Sequence, residues 1–219
     1  MYTLVFAGIA KIPTEGIPPQ LFYISGIVSW SYFAACLNGT SSTFISNAGI
    51  FGKVYFPRLV SPISVIISSM VQLGIQLLLL ACIMAYFAIS GYHIQMNIYA
   101  LYIPLLVINL ALMGMSFGII FSALTTKYRD LSNLMSFGVQ LWMYITPVIY
   151  PSSAVPEKYK VFVLINPVAP LVEAFKYGLI GAGEFNPGRL LYSAVFTIVL
   201  LFIGVVLFNR TEQNFMDTV

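Results

Sequence analysis

The chain has 219 residues, 59% hydrophobic and only 8% charged, with a formal net charge of +3. Soluble globular domains carry about a quarter charged residues, so this composition cannot cover a water-exposed globular surface. The small positive excess is scattered over short connectors rather than gathered into a patch, which also excludes a nucleic-acid-binding footprint.

An all-α polytopic membrane protein remains. Gly16–Gly52, Leu59–Thr126, Leu131–Pro156 and Leu190–Asn209 contain no Asp, Glu, Lys or Arg, and about 20 apolar residues suffice to cross a bilayer. In chain order, residues 1–10 read as the end of a first span. They lack the basic n-region and cleavage site of a signal peptide. As a helix they rise about 15 Å, roughly half a hydrocarbon core, so the expectation is a first span truncated at its N-terminus. Lys11–Gln20 is a turn carrying Pro13, Pro18 and Pro19. A second span covers 21–51, and the charged connector KVYFPR follows at 53–58.

A third span covers 59–89, Ser90–Asn97 is a polar turn, and a fourth span covers 98–126. In the fourth, Gly114, Ser116 and Gly118 suit close helix packing. The connector KYRD (127–130) leads to a fifth span over 131–150, ended by Pro151. Segment 152–189 is too polar for an ordinary span, yet VFVLI (161–165) and PLVEAFKYGLI (170–180) are too apolar for a free loop. A re-entrant helix pair fits, and a surface-lying amphipathic hairpin is the alternative. A sixth span covers 190–208. The basic residues divide evenly between the two sides, so the positive-inside rule leaves orientation open. No internal repeat is evident.

The spans hold no acidic or basic residue, which argues against proton relays, ion-coupled carriers and voltage sensors. No P-loop motif is present, so any energy from ATP must enter through another subunit. Cys36 and Cys82 lie in apolar runs without neighbouring His or Cys and make no metal site, and His93 falls in a turn. No catalytic constellation emerges: Glu173 and Lys176, at i and i+3, read as a helix-surface pair. The chain is rich in aromatics, with 14 Tyr, 17 Phe and 2 Trp. Such rings can stack on sugar faces, or they can serve as lipid-facing Phe and interfacial Tyr and Trp belts.

On the fifth span Phe137, Gln140, Tyr144 and Pro147 share one helix face, with Ser136 and Met143 beside them and Trp142 nearly opposite. An amide and a phenol there require partners or water, so this face either lines a path or joins helices. In KVYFPR, Pro57 can start the next helix, while Tyr55 and Phe56 form either an apolar docking knob or an interfacial anchor. Asp130 can cap the fifth span.

Four blocks carry a family resemblance: KVYFPRLVSPIS (53–64), KYRDLSN (127–133), QLWMYITPVIYPSSAVPEKY (140–159) and NPVAPLVEAFKYGLIG (166–181). They resemble the permease subunit of type-2 ABC exporters, in the group that exports O-antigen and related polysaccharides. The resemblance implies six spans, a homodimer in the inner membrane, and a lipid-linked polysaccharide as cargo. It also implies a separate pair of ATP-binding cassette subunits that hold ATP and Mg, with no cofactor in this chain. The connectors then face the cytosol. Lys53, Tyr55, Phe56, Pro57 and Arg58, with Arg129 and Asp130, are similar to the coupling elements that meet the ATPase. The first and fifth spans resemble pore-lining ones, so Phe137, Gln140 and Tyr144 would line the substrate path. The segment after the fifth span resembles paired re-entrant helices near the outer mouth, where Tyr150, Glu173 and Lys176 would form a gate. Family members carry an N-terminal cytosolic segment with an amphipathic interface helix, whereas this sequence begins inside the first span. Other cargoes of the same exporter class (teichoic acid, capsule or a drug) and a membrane-embedded glycan-processing enzyme are the alternatives.

Overall fold

The computed structural model describes residues 13–43, 46, 59–92, 97–125 and 131–216, with no strand among them. The first span expected over 1–10 lies outside the described residues. Helix α1 runs Pro19–Ser41, with a proline in its first turn, where the missing N–H costs nothing. It is buried on nearly every side, by Leu21, Phe22, Val28, Trp30, Phe33 and Leu37 among others, as expected of a helix that is apolar all round. Around it pack α2 (Val60–Ile89), α3 (Ile103–Thr125), α4 (Leu131–Ile145) and α6 (Ala169–Ile180). A 3-10 turn, Ile98–Tyr102, leads into α3. The short helix α5 (Glu157–Ile165) precedes α6, and α7 (Pro187–Met216) closes the chain against α3.

Among the described residues four stretches are long and apolar enough to cross a membrane: Pro19–Ser41, Val60–Ile89, Ile98–Thr125 and Pro187–Arg210. The α5–α6 pair, bent by 94° at its break, makes a fifth if counted as one broken span. α2 and α7 turn apolar side chains such as Val71, Ile75, Ile198 and Phe202 outward. An apolar surface of that extent requires lipid or another subunit against it.

The spacing of small residues explains the central contact. A Cβ at Gly118 would overlap Thr40 Oγ1 and stand 2.7 Å from the Leu37 carbonyl, and one at Gly114 would stand 2.8 Å from the Phe33 carbonyl. α3 therefore reaches α1 backbone to backbone, which is how helices gain contact where lipid removes the hydrophobic drive. Polar side chains join other pairs: Ser31 Oγ donates to Gln76 Oε1 at 2.9 Å between α1 and α2, and Thr197 Oγ1 to Asn109 Oδ1 at 2.8 Å between α7 and α3.

The helix expected over 131–150 ends at Ile145, not at Pro151. Pro147 accounts for the difference, since its ring disfavours helical geometry at Thr146 and it has no N–H to continue the ladder. Thr146 makes the last helical contact, its N–H bonding to the Trp142 carbonyl at 3.1 Å. Pro147 consequently leaves the Phe137–Gln140–Tyr144 face and is buried.

Candidate functional site

Two features stand out at α4. The first is its open face. Phe137 is 60% exposed and Tyr144 56%, with Gln140 exposed between them. Opposite, Trp142 turns into the core and meets Trp30, Phe33 and Phe117 edge-on, with ring centroids 6.2, 5.4 and 5.0 Å away. Edge-to-face arrangements at these separations are favourable for aromatic quadrupoles. The Trp142 ring thus fixes the rotation of α4 and leaves one ring, one amide and one phenol on a face left open among the described residues.

The second feature is the break after α4, where three short elements meet. The Tyr150 hydroxyl lies 3.1 and 3.0 Å from the carbonyls of Tyr144 and Ile145, serving acceptors that the helix end leaves without partners. Lys176, 0% exposed on α6, donates from Nζ to the Pro147 carbonyl at 2.7 Å, and its ammonium sits 4.3 Å from the centroid of the Phe22 ring. Glu173, one turn earlier and 1% exposed, receives Arg189 of α7 at 3.0 Å. A buried charge is costly unless it is paired and hydrogen-bonded. Arg189 satisfies one Glu173 oxygen and the Pro147 carbonyl receives Lys176, while Glu173 Oε1 is buried without a hydrogen-bond partner among the described residues.

The helix-surface pair expected of Glu173 and Lys176 is therefore corrected: both are buried, and the described ion pair of Glu173 is with Arg189. Helical spacing put the two residues near each other, but α1 and α7 cover the face they share. Tyr150, Glu173 and Lys176 do gather around one break. Lys53, Tyr55, Phe56, Pro57, Arg58, Arg129 and Asp130 lie outside the described residues.

Sequence reasoning did not single out Asn166 and Glu15. Asn166 occupies the bend between α5 and α6. Its Oδ1 accepts from the Val168 N–H at 3.1 Å and from Trp142 Nε1 at 3.3 Å, and its Nδ2 donates to Thr146 Oγ1 at 2.8 Å. The Asn-Pro dipeptide at 166–167 signalled this turn. Glu15, in left-handed backbone at φ 55°, accepts from Ser153 Oγ at 2.8 Å and from the Gly183 N–H at 3.0 Å. Nothing local in the sequence signals a bridge between such distant segments.

Residues 1–180 match the ABC-2 type transporter family. The chain is 29% identical over 224 residues to the O-antigen export system permease protein RfbA of Klebsiella pneumoniae, covering 99% of this chain and 83% of that protein. The protein of the same name from Myxococcus xanthus is 23% identical, with 100% and 82% covered. The polysialic acid transport protein KpsM of Escherichia coli is 24% identical, with 98% and 81% covered.

Proposed function

Because the chain belongs to the ABC-2 type transporter family, we propose that it is the membrane permease subunit of an ATP-driven exporter, moving a lipid-linked, O-antigen-like polysaccharide across the inner membrane. The observation that carries this reading is the family match along most of the chain, reinforced by near full-length relatives named for O-antigen export and for polysialic acid transport. The open α4 face supports it. A polymer that must slide requires many weak contacts, and rings and amides provide these without fixed charge.

In this proposal two copies of the chain, each with six spans, form the pathway. An ATP-binding cassette subunit, holding ATP and Mg, docks on the cytosolic connectors through Lys53, Tyr55, Phe56, Pro57, Arg58, Arg129 and Asp130. Phe137, Gln140 and Tyr144 line the route, and the break bearing Tyr150, Glu173 and Lys176 acts as the gate. A membrane-embedded enzyme finds less support, since Arg189 engages Glu173 and the Pro147 carbonyl engages Lys176. Removing the gene from its host tests the reading. Lipid-linked polymer should accumulate on the cytosolic side while surface polysaccharide disappears, and the cloned gene should restore it. An unchanged surface polymer would contradict the proposed cargo.

A further inference from the structure

Beside the break lies an open cavity of about 410 Å³. Its polar lining is Glu15, Ser152, Ser153, Lys160, Glu184 and Arg189, contributed by the turn before α1, the segment after α4, α5, and the start of α7 with the loop before it. The frame is built. Glu15 clasps Ser153 and Gly183, and Arg189 is held by Glu173 and by the Val163 carbonyl at 3.3 Å. Lys160 and Glu184, both exposed, have no salt bridge among the described residues. The cavity thus offers two cations and two carboxylates. A purely anionic ligand would meet Glu15 and Glu184, and a purely cationic one would meet Lys160 and Arg189. Only a ligand carrying both signs satisfies the whole lining.

Depth narrows the choice. Arg189 is the last charge before Leu190–Asn209, the uncharged run of α7, so the cavity lies where headgroups give way to hydrocarbon. Leu164, in the cavity wall, is exposed, as are its neighbours Phe162 and Ile165 on α5 and Leu191 on α7. An acyl chain leaving the cavity would lie along these residues. Among the described residues no aromatic ring lines the cavity, so they supply neither the stacking surface a sugar prefers nor the aromatic cage that recognises a quaternary ammonium.

We propose that this cavity binds a zwitterionic phospholipid whose headgroup joins a phosphate to a primary amine. Lys160 and Arg189 take the phosphate with Ser152, and Glu184, with the remaining acceptor capacity of Glu15, takes the amine. The site does not depend on the identity of the cargo, and its failure would leave the export reading untouched.

The test is native mass spectrometry of the purified transporter with its ATPase subunits, after exchange into detergent with equimolar phosphatidylethanolamine, phosphatidylcholine and phosphatidylglycerol. The expected result is retention of phosphatidylethanolamine over each of the others by about tenfold, the scale of a single well-placed charge-assisted pair. Lys160→Gln with Glu184→Gln should abolish the preference without changing the thermal midpoint, since both side chains are exposed. Equal retention of phosphatidylcholine, a preference for phosphatidylglycerol, or a double variant that keeps the parent's selectivity would overturn the proposal. So would displacement of the lipid by free oligosaccharide, which would make the cavity a sugar site.

Discussion

Lys176 Nζ hydrogen-bonds the carbonyl of Pro147 at 2.7 Å, so the one cation wholly buried among the described residues fastens α6 to the point where α4 breaks. The proline that ends the helix also creates the acceptor, because a carbonyl within a continuing helix would be committed to a later N–H. Lys176→Met keeps most of the stem and removes the donor, so the segment 146–150 should loosen while the fold persists. Backbone amide hydrogen exchange at Val148, Ile149 and Tyr150 in the purified protein should be faster in this variant than in the parent. Equal exchange rates would show that the bond does not hold the break.

The pair between Arg189 and Glu173 should behave as a unit. Arg189→Met leaves a buried carboxylate without its cation, a change that typically costs about 3–5 kcal/mol. Adding Glu173→Gln removes the orphaned charge and should restore much of the stability. Thermal unfolding in detergent, followed for both single variants and the double, checks this. A double variant less stable than Arg189→Met would contradict it.

Glycine substitutions should separate close contacts from open ones. Gly118→Val would drive a side chain into Thr40 and the Leu37 backbone, whereas a Cβ at Gly138 meets nothing within 4 Å. Membrane abundance should collapse for Gly118→Val and hold for Gly138→Ala, where the gain in helix propensity is up to about 1 kcal/mol. Matched abundance of the two variants would refute the backbone contact between α1 and α3.

Much of this architecture is legible in the sequence, because uncharged runs and a helical wheel report burial and rotation directly. Phe137, Gln140 and Tyr144 fall on the open side and Trp142 on the core side as periodicity requires. Gly114 and Gly118 make the close contact their size suggests. What periodicity misses is tertiary. Glu173 and Lys176 look solvated from spacing alone, and only the covering by α1 and α7 makes them interior charges with separate partners. Pro147, three residues beyond Tyr144, falls on the same face of a helical wheel, although a proline there ends the helix first. Glu15 bridges residues more than a hundred positions away, and no local pattern encodes such a contact.

Coupling to ATP hydrolysis should depend on the first connector. Phe56→Ala with Arg58→Ala should leave the protein in the membrane while abolishing transport-stimulated ATPase activity of the reconstituted complex. Normal stimulation in that double variant would remove the connector from the coupling role.

If the open face of α4 forms the wall along which the polysaccharide moves, the amount of surface polysaccharide in cells carrying α4 variants at matched membrane abundance should follow the chemistry of that face. A single stacking contact is worth about 1 kcal/mol, so Tyr144→Ala should slow export several-fold, and Tyr144→Phe, which keeps the ring, should slow it less. Gln140→Arg should nearly abolish export, because a desolvated cation in the wall is costly and presents a charge to a passing polymer. If Gln140→Arg displays as much surface polysaccharide as the parent, the face does not line the path and its polar groups serve only to join helices.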